Sequence, residues 1–164
     1  GSNMRTFTAE KTSGGTSWGA VYAQWMQPVE DVKSATAGMA VERMFFKDGK
    51  RLSSLDHLKV GDRLTVRIVI TADRDYDFVQ VADHRAACME PTSQLSGYRN
   101  GCYVATKDNA SYFYFDVLSK GRHTVEMTYY IDRAGSYRTG LCTAQCAYSP
   151  EFAGRDKSWE VKSE

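Results

Sequence analysis

The stretch LKVGDRLTVRIVITADRDYDFVQV, Leu58 to Val81, constrains this chain more than any other. Val60-Gly61-Asp62 has turn chemistry, because Gly tolerates positive φ and Asp hydrogen-bonds nearby backbone. Leu64, Val66, Ile68 and Ile70 then alternate with Thr65, Arg67, Val69 and Thr71. Period two in a run rich in β-branched residues predicts a strand with one buried face. Asp73-Arg74-Asp75 breaks the run, and Tyr76 to Val81 starts a second strand. The result is a sheet with one dry face.

The rest of the chain reads in the same way. Arg5–Glu10 is a short strand candidate, followed by a Ser13-Gly14-Gly15 link. Trp18–Met26 has aromatic and β-branched weight and is closed by Pro28, which predicts another strand. Asp31–Gly38 reads as loop. Met39–Phe46 fits a strand as well as one helical turn, and the Lys47-Asp48-Gly49-Lys50 turn after it favours a hairpin. His84–Gly101 lacks pattern, and a loop this long in a compact domain is functional or packs as its own unit. Further strands are expected at Cys102–Lys107, at Tyr112–Asp116 and over Val125, Met127, Tyr129 and Ile131. Tyr137–Cys146 and Trp159–Lys162 complete the set, with Pro150 closing the former. Turn signals recur about every 8–12 residues without helical periodicity, so the fold class is all-β, an antiparallel sandwich. Leu64, Val66, Ile68, Phe113, Phe115, Val125, Met127 and Ile131 are its expected core.

A chain of 164 residues suits one domain with a sizeable core. Residues 1–16, with Gly1-Ser2 as a cloning scar, read as a lead-in, and residues 17–164 as the sandwich. The natural protein is expected to begin earlier. A net charge of +1 argues against nucleic acid or membrane contact by this domain. No apolar run approaches the ~18 residues of a membrane span, and there is no signal peptide.

No residues nominate themselves as a catalytic set. There is no GxSxG, no HExxH and no Gly-rich phosphate loop. Cys88, Cys102, Cys142 and Cys146 form no CxxC, and His57, His84 and His123 are scattered, so neither a metal nor a cofactor is expected. The thiols either form one or two bridges, as in a secreted β domain, or are buried and free. Cys88-Met89-Glu90-Pro91 resembles the Cys-x-Glu-Gln of internal thioesters, but Pro91 has no side-chain carboxamide to acylate the thiol. Asp73, Asp75 and Asp77 open like a calcium loop, yet Phe78 and His84 stand where Gly and Glu are required. Asn109-Ala110-Ser111 is a glycosylation sequon by spelling, relevant only in a eukaryotic secretory host. The three tryptophans and ten tyrosines suit either a sugar-binding platform or a sandwich core with cross-strand pairs.

Several long segments look like one family. LKVGDRLTVRIVITADRDYDFVQVADHRAACMEP, QLSGYR, DRAGSYRTG and CTAQCAYSPEFAG occur in the order found in the C-terminal domain of bacterial α2-macroglobulins of the Bacteroidetes type. SWGAVYAQWMQPVED resembles the segment entering that domain, so the likeness runs from Ser17 to Gly154. The resemblance implies an immunoglobulin-like, macroglobulin-like β-sandwich in a large exported protein, periplasmic or on the cell surface, which can carry a lipid anchor. Such proteins enclose a protease after it cuts a bait segment. The last domain packs against other domains of the same polypeptide and meets target proteases only indirectly. In thioester-bearing members a loop of the form Met-Tyr-x-Pro shields the thioester. The matching loop here is Ala147-Tyr148-Ser149-Pro150, with Ala147 in place of methionine. The resemblance thus implies no catalytic residues and an interdomain contact loop of Gln145, Ala147, Tyr148, Pro150 and Phe152. The alternative is a free-standing carbohydrate-binding sandwich module. That module would show an exposed row of aromatics, whereas an interdomain unit would show an apolar patch near Tyr148 and Phe152.

Overall fold

The computed structural model describes residue 6 and residues 8–164. The alternating run at its centre forms β5 (Arg63–Ala72), preceded by β1 (Ala35–Ala37), β2 (Met39–Lys47), β3 (Lys50–Arg51) and β4 (Leu55–Leu58). After the acidic turn come β6 (Tyr76–His84), β7 (Met89–Pro91), β8 (Gly97–Arg99) and β9 (Cys102–Thr106). The chain continues through β10 (Ala110–Leu118), β11 (Gly121–Ile131) and β12 (Gly135–Arg138). It ends with β13 (Cys142–Cys146), β14 (Ala153–Asp156) and β15 (Glu160–Ser163).

These strands make two large antiparallel sheets, ordered β3-β2-β5-β11-β7 and β1-β14-β13-β6-β10-β9-β8. Their dry faces meet, so the chain is an all-β, immunoglobulin-like sandwich. In the five-stranded sheet, Leu64, Val66 and Ile68 stand opposite Tyr129, Met127 and Val125. In the seven-stranded sheet, Phe113 and Phe115 stand opposite Val81 and Val79. All eight core residues expected from period two are buried. Burying each large apolar side chain is worth roughly 1.5–3 kcal/mol. A smaller sheet, β12-β15-β4, contains one parallel pair, β15 with β4, and brings Val161, Leu55 and Leu58 into the same core.

Among the described residues, two charged ones, Arg43 and Asp83, sit inside this core. Arg43 takes the inward position opposite Ile68 and is fully enclosed. Its guanidinium crosses to the other sheet and donates to Asp83 Oδ1 at 2.7 Å, Thr139 Oγ1 at 2.9 Å and Gly140 O at 2.8 Å. A further donation reaches Lys157 O at 2.9 Å, and its backbone N–H donates to Asp156 Oδ2 at 2.7 Å. Tyr129 in β11 donates its hydroxyl to Asp83 Oδ2 at 3.2 Å and shares a 2.7 Å bond with Ser111 Oγ. Burial, with the Asp83 charge beside it, pushes the Tyr129 phenol well above its usual range. The network ties the two sheets together where only dispersion would otherwise act.

Close approach of backbones demands glycine at two points. A Cβ on Gly154 would lie 2.2 Å from Met39 O, so only glycine lets β14 cross β2. Gly38 has φ +82°, and a Cβ there would meet the Tyr76 hydroxyl at 2.1 Å.

The structure corrects several local expectations. Trp18–Met26 forms no strand, because no neighbouring strand offers it a ladder of hydrogen bonds. The Arg5–Glu10 expectation falls partly outside the described residues, and Thr8–Glu10 belong to no strand. Tyr137–Cys146 is broken at Thr139-Gly140-Leu141, since its two halves join different sheets. The supposed loops Asp31–Gly38 and His84–Gly101 contain β1, β7 and β8, which are three residues each and too short to show a period. The four cysteines are free and buried. Burial raises the thiols of Cys88, Cys102 and Cys142, that of Cys142 well above the usual value. Thiolate is the reactive form. In the native chain Ellman's reagent should therefore find no rapidly reacting thiol, and all four should react after unfolding; a fast native reaction would contradict the burial assigned to them.

Candidate contact surface

The expected contact loop leaves the end of β13 beside β6. Cys146 pairs with Val79, and the next rung is the Ala147 N–H donating to Phe78 O at 2.8 Å. At Phe78 the backbone turns left-handed, with φ +53°. That conformation is an outlier for a bulky aromatic residue. It accompanies a break in alternation, because Asp77 and Phe78 both face outward between buried Tyr76 and Val79. The irregularity aims the Phe78 ring away from the sandwich, as strand kinks do when they redirect a side chain.

Tyr148 meets that ring edge-on, with centroids 5.3 Å apart. Tyr148 is 80% exposed and Phe78 51%, so the pair projects from the domain rather than capping it. The loop beneath is held by local bonds: the Phe152 N–H donates to Ser149 O at 2.9 Å and the Cys146 N–H to Phe152 O at 3.1 Å. Gln145 Nε2 donates to Pro150 O at 3.2 Å. Gln145, Ala147, Tyr148 and Pro150 are all exposed, whereas Phe152 turns inward and packs on Tyr76 at 5.3 Å. The structure therefore brings four of the five expected loop residues to one surface and directs the fifth to the domain's own core.

Sequence reasoning missed Phe78. Its signal was present, since period two places it on the face opposite Val79 and Val81. The surface continues across the sheet as one cross-strand row. Tyr98 pairs with Tyr103, Tyr103 with Tyr114, Tyr114 with Gln80, and Gln80 with Gln145. The row is uncharged and outward-facing. Between it and the loop lies a shallow cavity of about 290 Å³, bounded by Phe78, Gln80, Tyr114, Asp116 and Tyr148. Of the two discriminators, the exposed aromatic row is present on this face, while of the expected patch near Tyr148 and Phe152 only Tyr148 is exposed, joined there by Phe78.

The chemistry of this face is aromatic rings and side-chain amides, with the Asp116 carboxylate at the edge of the cavity. The acidic run expected to resemble a calcium loop is divided among separate tasks. Asp73 accepts bonds from Tyr76 and Arg74, and Asp75 accepts the Lys120 N–H at 2.6 Å. The neighbouring Arg74 guanidinium and the Tyr76 hydroxyl hold the Asp73 carboxyl below its usual range.

The sequence matches the bacterial alpha-2-macroglobulin MG10 domain family over residues 38–151, and the chain belongs to that family. The fold is similar to that of Salmonella alpha-2-macroglobulin reacted with methylamine, with a TM-score of 0.73, 18% identity and coverage of 83% of this chain and 10% of that one. It is also similar to native Escherichia coli alpha-2-macroglobulin, with a TM-score of 0.73, 14% identity and coverage of 84% and 10%. A third similar structure is the native E. coli piece running from domain MG7 to the C-terminus, with a TM-score of 0.72, 14% identity and coverage of 84% and 25%. The chain thus spans about a tenth of the Salmonella protein. No curated relative matches its sequence.

Proposed function

We propose that this chain is a non-catalytic domain of a bacterial alpha-2-macroglobulin-like protease trap of the Bacteroidetes type, placed at the C-terminal end of the polypeptide. It packs against neighbouring domains and holds them in the arrangement that precedes trapping. The trap acts outside the cytoplasm, in the periplasm or at the cell surface. Family membership supports this reading.

The observation that carries the contact role is the Tyr148–Phe78 pair. Two exposed rings are fixed by backbone bonds and by an unusual φ at Phe78. Strained backbone of this kind costs of order 1–3 kcal/mol and clusters at functional sites. Rigid aromatic anchors lose little entropy on docking and dominate interface energetics. Ala147, where thioester-bearing relatives have methionine, narrows the role to domain packing.

Tyr148→Ala tests this assignment. The unfolding free energy of this chain should change by no more than about 0.5 kcal/mol, as at a surface position. The longer protein should spring at a lower protease dose. A loss of about 2 kcal/mol in this chain, the size typical of a buried position, with normal trapping, would make Tyr148 a core residue instead.

The Tyr98–Tyr103–Tyr114 row favours one other reading, a carbohydrate-binding module. Glycan binding by this chain that is lost in Tyr103→Ala but kept in Tyr148→Ala would select it.

A further inference from the structure

We infer that the cavity between Phe78 and Tyr148 is a socket for a cationic side chain, the guanidinium of an arginine presented by a partner polypeptide. This rests on the reading of the Tyr148 face as a contact surface and names the chemistry it contacts. Phe78, Gln80, Tyr114, Asp116 and Tyr148 bound the cavity, whose volume is about 290 Å³. The Phe78 and Tyr148 rings stand nearly perpendicular, at 86° with centroids 5.3 Å apart, so their planes form a corner. Tyr114 of β10, stacked on Tyr112, supplies a third ring. Asp116 stands opposite Phe78, between the Phe115–Val79 and Val117–Asp77 rungs of the β10–β6 ladder. One carboxylate is thus set among three rings.

That combination selects a cation. Ring faces carry partial negative charge and attract an ammonium or guanidinium within about 6 Å. An apolar occupant would strip water from the Asp116 carboxylate and give nothing back, whereas a cation satisfies carboxylate and rings together. The chain does not supply that cation itself. No lysine or arginine lines the cavity, and among the described residues neither Asp116 nor Asp77 has an ion-pair partner. Arg74, in the turn before β6, is committed to Asp73 and lies over the Phe152 ring.

Arginine fits this socket better than lysine. Its guanidinium is planar, is more weakly hydrated, stacks on tyrosine and donates two parallel bonds to a carboxylate. Gln80 offers a side-chain carbonyl on the same wall. The walls are set before any ligand arrives, since φ +53° at Phe78 and the Ala147 N–H bond to Phe78 O fix the ring pair.

NMR titration of this chain with acetyl-Gly-Arg-Gly-amide tests the inference, with the corresponding citrulline and lysine peptides as comparisons. Amide shifts at Phe78, Asp116 and Ala147 should saturate with a dissociation constant on the order of 1 mM, the strength that a few exposed contacts give. Citrulline has the same shape without the charge, and its peptide should bind about fivefold more weakly or worse. Asp116→Asn should weaken the arginine peptide by a similar factor and leave the melting temperature unchanged, since Asp116 is exposed. Tyr148→Ala should weaken it in the same way. No saturable shift, equal binding of the citrulline peptide, or full binding by Asp116→Asn overturns the inference. So does a lysine peptide that binds as tightly as the arginine one. The contact reading is tested apart from this, by the protease dose at which the longer protein springs in Tyr148→Ala. Unchanged springing with arginine binding intact sinks the contact role of Tyr148 alone; eased springing with no arginine binding sinks the socket alone.

Discussion

Arg43→Met should lower the stability of the domain by about 3–5 kcal/mol, the cost of removing one partner from a buried ion pair. Asp83 would lose its cationic partner in the core and keep only the Tyr129 hydroxyl as a donor from the opposite sheet. The carbonyls of Gly140 and Lys157 would also lose this donor, while Thr139 Oγ1 would keep only the Trp159 N–H. An unsatisfied buried polar group costs about 1–3 kcal/mol, so the loss does not rest on the ion pair alone. Arg67→Met is the control. Arg67 pairs with Glu126 at 2.6 Å on the outer face, where both side chains are more than 40% exposed. Exposed pairs contribute about 0–1 kcal/mol. Urea denaturation of both variants decides the matter. A loss below about 1 kcal/mol for Arg43→Met, the level expected of an exposed pair, would show that the network does not join the sheets.

Phe113→Ala should cost about 3–5 kcal/mol, as large-to-small changes at a buried aromatic do. Phe113 is 2% exposed and stands between Val104 of β9 and Val81 of β6. Val117, four residues on in the same strand, is 60% exposed, and its replacement by Ala should stay within about 0.5 kcal/mol. The contrast depends on the register of β10. Similar losses at both positions would mean that alternation runs unbroken through Val117, against the outward break at Asp116-Val117.

Long strands were legible because alternation over eight or more residues marks one face, and both β5 and β11 have it. The inward position of Arg43 was not legible, because Met39–Phe46 fits a strand as well as a helical turn and a charged residue is not expected on a dry face. Nor was its partner, because Asp83 lies forty residues away and pairing across a sandwich leaves no local pattern. Three-residue strands such as β7 and β8 gave no period to read. Trp18–Met26 was misread for the opposite reason: its composition favours a strand, but a strand needs a neighbour, and none lies in this domain. At the candidate surface the loop was legible through its resemblance to a family. The opposite directions taken by Tyr148 and Phe152 depend on the turn geometry after Cys146, which sequence pattern does not encode.

The central claim is that the Tyr148 face lies against another domain. A benzophenone amino acid placed at Tyr148 of the longer polypeptide tests this most directly, with one at Glu42 on the outer face of the other sheet as the comparison. On irradiation the account predicts an intramolecular crosslink from position 148 to residues outside this chain, absent from position 42 and lost once protease has sprung the trap. Crosslinks from position 148 only to residues within this chain, or none at all, would contradict it.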